Sequence, residues 1–188
     1  QLPAEEARAL NALQREYLES MRSNADMPEE QMNLGLYYLA TGDPASAEKA
    51  YREALKLAPA FVPALLNLAD LYRANGLDNQ AQPLLQQAIS LAPRDAAPQH
   101  AMGLLLIRQR QLQTAVSHLQ QAATLAPGNV RYQYVYAVAL WESGRQQEAV
   151  ATLETALAGH PGNRDLMSAL ASYYSQLGEE EKLRALQP

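Results

Sequence analysis

Residues 42–59 read GDPASAEKAYREALKLAP, a stretch with a written beginning and a written end. Gly42 can take the left-handed conformation that closes a preceding helix without a side-chain clash. Asp43 offers a side-chain acceptor to the bare amides of the next helix, and Pro44 stands at the first helical position, where a missing N–H costs least. Ala47, Ala50, Tyr51, Ala54 and Leu55 then fall three and four apart, forming one apolar stripe. Pro59 cannot continue a helix and ends it.

The same signals return at a fixed spacing. Prolines stand at Pro59, Pro93, Pro127 and Pro161, each 34 residues after the last. The turn position reads Gly42, Gly76, Arg110, Gly144 and Gly178. Small residues recur as Ala47, Ala81, Ala115 and Ala149, and again as Ala54, Ala88, Ala122 and Ala156, with Tyr51, Leu85, Leu119 and Leu153 as the bulky column between them. In the first helix of each unit, Gly35, Ala69, Gly103, Ala137 and Ala171 mark a close-contact position, beside the large column Tyr38, Tyr72, Leu106, Leu140 and Tyr174. Small residues let two helices approach and large ones fill the space alongside, so a shift of phase would open voids or force clashes.

This pattern of large and small residues, turn Gly, Ala, bulky residue, Ala and Pro resembles the tetratricopeptide repeat over nearly the whole chain. The resemblance implies an all-α, right-handed α-solenoid of helix-turn-helix repeats, occupying residues 1–188 as one solenoid. Full repeats are expected at 28–61, 62–95, 96–129 and 130–163, with a terminal repeat and cap over 164–188. Residues 1–25, where Leu13, Tyr17 and Ser20 keep the phase, read as the second helix of a preceding repeat whose first half is missing, as in a piece of a longer protein. Two departures carry expectations. The usual aromatic at the fourth position is replaced by Gln31, Leu65, Gln99, Gln133 and Met167, which should move towards solvent, and Arg110 should strain its turn.

Helices are expected at about 28–41, 44–57, 62–75, 78–91, 96–109, 112–125, 130–143, 146–159 and 164–177, followed by a short polar cap from Glu179 to Gln187. Asp26 and Glu29 look like a capping pair opening the first of these. Tyr132, Tyr134 and Tyr136 alternate as in a strand, but the unbroken phase on both sides assigns them to a helix.

Composition removes several classes of function. The net charge of −5 argues against nucleic acid as a partner, since a binder of phosphate backbones would show a basic face. Without cysteine there is no disulfide, thiolate metal site or covalent haem attachment within these residues. No apolar run approaches the ~18 residues of a membrane span, so no membrane insertion is expected. His100, His118 and His160 lack a partner at metal-ligand spacing, and His118 and His160 are expected to be solvated or capping. Carboxylates such as Glu53, Asp70 and Glu142 lie on separate units, and no phosphate loop or nucleophile motif appears. We therefore expect no enzymatic activity, no metal and no cofactor.

What the resemblance implies instead is a concave groove, lined by the first helices, that binds a protein or peptide partner. Transferred position by position, its lining is Asn33, Asn67, Asp70, Arg73, His100, Leu104, Arg108, Tyr134, Val138 and Trp141. The paired amides Asn33 and Asn67 suit a peptide backbone, and Leu104, Tyr134, Val138 and Trp141 form an apolar wall with aromatic handles. Family members that clamp an acidic chaperone tail use Lys, Asn and Arg where this chain has Met32, Leu36, Ala97 and Ala101, with only Asn67 agreeing, so that role is not implied. The strings NLGLYYLATGDPASAEKAYREAL and NVRYQYVYAVALWESG are similar to repeat segments that follow bacterial multihaem c-type cytochrome domains, which implies an exported, periplasmic protein. The alternative role is a structural arm that packs on its own upstream domain, or forms a homo-oligomer through the helix edge at Leu10, Leu13 and Tyr17.

Overall fold

A computed structural model describes residues 26–186, together with 12, 15, 16, 18–20, 23 and 24. The edge at Leu10, Leu13 and Tyr17 lies outside the described residues. The described residues contain helices α1 (Pro28–Ala40), α2 (Pro44–Leu57), α3 (Val62–Ala74), α4 (Asp78–Leu91), α5 (Ala96–Arg108), α6 (Leu112–Leu125), α7 (Val130–Glu142), α8 (Gln146–Gly159), α9 (Arg164–Leu177) and α10 (Glu180–Ala185), and no strand. The tyrosine-rich segment is helix α7, so the phase of the repeat prevails over the local alternation. The first helices α1, α3, α5 and α7 end one residue earlier than the sequence pattern suggests, because Thr41, Asn75, Gln109 and Ser143 already leave helical geometry as caps, whereas α9 runs to Leu177 as expected.

The chain divides into two compact units, Gln1–Leu91 and Ala92–Pro188. Within each, the tightest packing is inside a hairpin: α1 on α2 and α3 on α4 in the first, α5 on α6 and α7 on α8 in the second. The second helix of one hairpin then meets the first of the next, as α2 meets α3, α6 meets α7 and α8 meets α9. The fold is an all-α solenoid of helical hairpins.

The size columns explain this packing. A Cβ on Gly35 would collide with the Tyr51 ring, and one on Gly103 would lie 2.6 Å from Leu119 Cδ2. Tyr51, Leu119 and Leu153 are fully buried, and Leu85 is 1% exposed. Tyrosines at the adjacent column also tie hairpins together: Tyr72 Oη donates to Glu48 at 2.9 Å, and Tyr174 Oη donates to Glu154 at 2.8 Å. Lys182 of the terminal helix reaches the same Glu154 carboxylate at 3.1 Å, anchoring a helix that buries no residue fully.

Local signals act as read, with two corrections. Asp43 accepts from Ser46 N at 3.0 Å, and hydrogen bonds from Ser46 hold its carboxyl below the usual range. Asn129 and Asn163 cap α7 and α9 in the same way. By contrast, Asp26 does not cap α1. Pro28 occupies the start of that helix, so the cap position falls on Met27, which has no side-chain cap bond; Glu29 and Glu30 serve only as charge in the first turn.

The second correction concerns the glutamines. Gln31 and Gln99 are buried, at 9% and 6% exposure. Gln99 Oε1 meets His118 Nδ1 at 2.7 Å, and Gln133 Nε2 donates to the Ala123 carbonyl at 2.9 Å. An amide can enter the core where a partner satisfies it. His118 is thus half-buried on a core amide rather than solvated, while His160 is a cap, its Nδ1 3.2 Å from the Ala156 carbonyl.

Candidate interaction site

The turn of the helix fixes which side chains stand together on α7. Tyr134, Val138 and Trp141 are separated by four and three residues, so they form one stripe, with Glu142 at the end of it. All three apolar residues are half-buried and Glu142 is exposed. From the neighbouring first helix α9, Tyr173 lies flat under Trp141: the ring centroids are 3.8 Å apart and the planes differ by 9°. Burial, with the nearby Tyr134 and Glu142 adding to it, pushes the Tyr173 phenol up to about 12. Tyr173 therefore stays neutral and acts as the fixed base of the stack. Ser168 and Ser172, earlier on α9, are small and exposed.

The other expected lining residues are placed as follows. On α5, Leu104 is half-buried and Arg108 exposed, while His100 is only 6% exposed and its ring packs on Tyr132 at 4.4 Å. His100 is thus a packed side chain and not an open wall residue. In the first unit, Asn33 on α1 and Asn67 on α3 are half-buried. Asp70 and Arg73 pair with each other along α3 at 3.1 Å, an exposed i,i+3 pair worth little to stability.

Tyr173 is the residue the sequence pattern did not single out. Its column reads Tyr37, Leu71, Leu105, Ala139 and Tyr173, and the return of an aromatic ring directly after Ala139 is the available signal. Among the described residues, no group of three or more His, Asp or Glu side chains gathers as a metal site. No helix there is long and apolar enough to cross a membrane.

Known proteins share this arrangement of hairpins. Two family models, each described as Tetratricopeptide repeat, match residues 38–105 and 100–178. The chain belongs to the tetratricopeptide-repeat family. Solved members of similar fold include a MamA protein, 23% identical, with a TM-score of 0.72 over 85% of this chain and 87% of that one. Another is PilF of Pseudomonas aeruginosa, 22% identical, with a TM-score of 0.76 over 88% of this chain and 74% of that one. A third is YrrB, described as a TPR protein with an unusual peptide-binding site, 17% identical, with a TM-score of 0.69 over 90% and 88%. At these identities the likeness is one of fold. No curated protein matches the chain. Tetratricopeptide-repeat folds serve as protein-interaction modules.

Proposed function

We propose that the first-helix face of the second unit binds an extended peptide segment of a partner protein, without catalysis. The observation that carries this reading is the coplanar stack of Trp141 on Tyr173, bordered by Tyr134 and Val138. A half-exposed indole held rigid by a buried ring loses little entropy when a partner covers it, and such anchors dominate the energetics of interfaces. That YrrB, a protein of the same fold, has a peptide-binding site supports the reading by analogy.

Trp141 is the one tryptophan of the chain, so its emission reports on this site alone. Peptides selected from a random display library on the immobilised chain should shift that emission and protect it from quenching by acrylamide. Tyr134→Ala with Val138→Ser should weaken the same peptides by roughly tenfold or more. Selected peptides that bind equally well to this double variant and leave the tryptophan open to quencher would refute the assignment.

A further inference from the structure

The charge at the end of the stripe narrows what the bound segment carries. Glu142 is the last residue of α7, exposed, beside Trp141 and close enough to Tyr173 to raise its phenol. A helix C-terminus is its negative end, where a cation is favoured and a carboxylate is not. Two of the other first helices follow that rule, α3 with Arg73 and α5 with Arg108 in the last turn, whereas α7, like α1 and α9, has no basic residue there. Of the three without one, α7 alone ends on a carboxylate. The next cation along the chain, Arg145, is already committed to Glu148 through Nε–Oε1 at 2.7 Å and Nη2–Oε2 at 2.6 Å. Among the described residues Glu142 belongs to none of the ion pairs. A carboxylate without a counter-ion, at the negative end of a helix and beside an indole held flat, is built to receive a cation with a planar face.

We infer that this site takes an arginine side chain of the bound segment. The guanidinium would stack on the Trp141 face while its N–H groups donate to the Glu142 carboxylate, a geometry that suits Arg better than the point charge of Lys. The inference rests on the peptide-binding reading above and adds its specificity. The partner segment is thus basic and apolar, the opposite of an acidic tail.

The test uses the full chain and a phage-displayed random dodecapeptide library, panned in parallel on wild type and Glu142→Gln. Wild type should enrich arginine next to apolar residues. In the best peptide, replacing that arginine with citrulline, which keeps the shape and loses the charge, should weaken binding about tenfold. Glu142→Gln should cost a similar factor and become nearly indifferent to the citrulline change, which isolates the pair. Glu142 is exposed, so this variant keeps the fold, and circular dichroism melting verifies that. Arginine-free peptides that bind and shift Trp141 emission, or equal binding of the arginine and citrulline peptides, would overturn the arginine inference while leaving the peptide reading standing. Enrichment of nothing, or of peptides indifferent to Tyr134→Ala with Val138→Ser, would overturn both.

Discussion

The two units present the same repeat positions with different chemistry. On α1 and α3 the outward positions carry exposed Leu36 and Leu39, the amides Asn33 and Asn67, and the Asp70–Arg73 pair. On α5, α7 and α9 they carry Leu104, Tyr134, Val138 and Trp141, with Tyr173 locked beneath. Yet the packing columns hardly change: Tyr51 against Gly35 in one unit does what Leu119 against Gly103 does in the other. Volume complementarity fixes the columns between helices, while the wall columns are released from that constraint and can be spent on recognition.

The largest test of this division concerns the columns. Leu85→Ala in the first unit and Leu119→Ala in the second should each cost about 2–5 kcal/mol in urea unfolding, because both side chains are enclosed and leave a cavity. Leu36→Ala, at a position 45% exposed, should stay within about 0.5 kcal/mol. A Leu36 cost near that of Leu119 would mean that the wall also holds the fold together.

The wall itself can be divided next. Trp141→Ala should reduce binding of selected peptides by about 2 kcal/mol, roughly thirtyfold, measured by fluorescence anisotropy. Asn33→Ala with Asn67→Ala should change it by less than about fivefold, since the stacked rings of the proposed anchor stand on α7 and α9 of the second unit and the amides on α1 and α3 of the first. A reversed order would move the site to the first unit.

A smaller effect separates the units by pH. Burial holds the His118 imidazole below its ordinary 6.5. Between that value and 6.5 the unfolded chain binds a proton that the folded chain resists. Stability is therefore complete above about pH 6.5 and declines as pH falls through 6.5 towards the lower folded value. His118→Gln removes the titration and leaves an amide to meet Gln99. Its melting temperature should lack the decline of a few degrees that wild type shows between pH 7.5 and 5. Identical pH profiles would show that the Gln99–His118 contact is not what resists the proton.

These contrasts also mark what the sequence made legible. Gly, Pro and Asp or Asn at helix ends, with sizes repeating every 34 residues, locate nine helices to within a residue of their observed bounds. Such signals act over one turn or one hairpin, so the chain states them locally. Gln99 was expected in solvent because a glutamine alone carries no sign of its partner. His118, on another helix, supplies the hydrogen bond that lets it enter the core. Tyr173 was missed for a related reason. Its role depends on a ring from the preceding repeat, and the column it occupies otherwise holds Tyr, Leu and Ala.

The turns offer the finest comparison. Gly42 and Gly76 close first helices in the first unit with φ of 81° and 75°, and Gly144 and Gly178 do so in the second with 82° and 72°. Arg110 takes the same place after α5 with φ of 60°, the one non-glycine residue at positive φ among those described. The hairpin needs this conformation, because Gln111 N must turn back to the Leu106 carbonyl at 2.8 Å, as Asp43 N does to Tyr38 and Arg145 N to Leu140. A side chain in the left-handed region costs roughly 1–2 kcal/mol, whereas glycine enters it freely but gives up more entropy on folding. Arg110 is exposed, so little contact is lost with its side chain. Arg110→Gly should therefore stabilise the chain by about 0.5–1 kcal/mol, read as a higher urea midpoint at unchanged slope. Gly144→Ala should cost about the same amount. Arg110→Gly leaving the midpoint unmoved while Gly144→Ala lowers it would mean that the arginine side chain repays its backbone strain through interactions of its own.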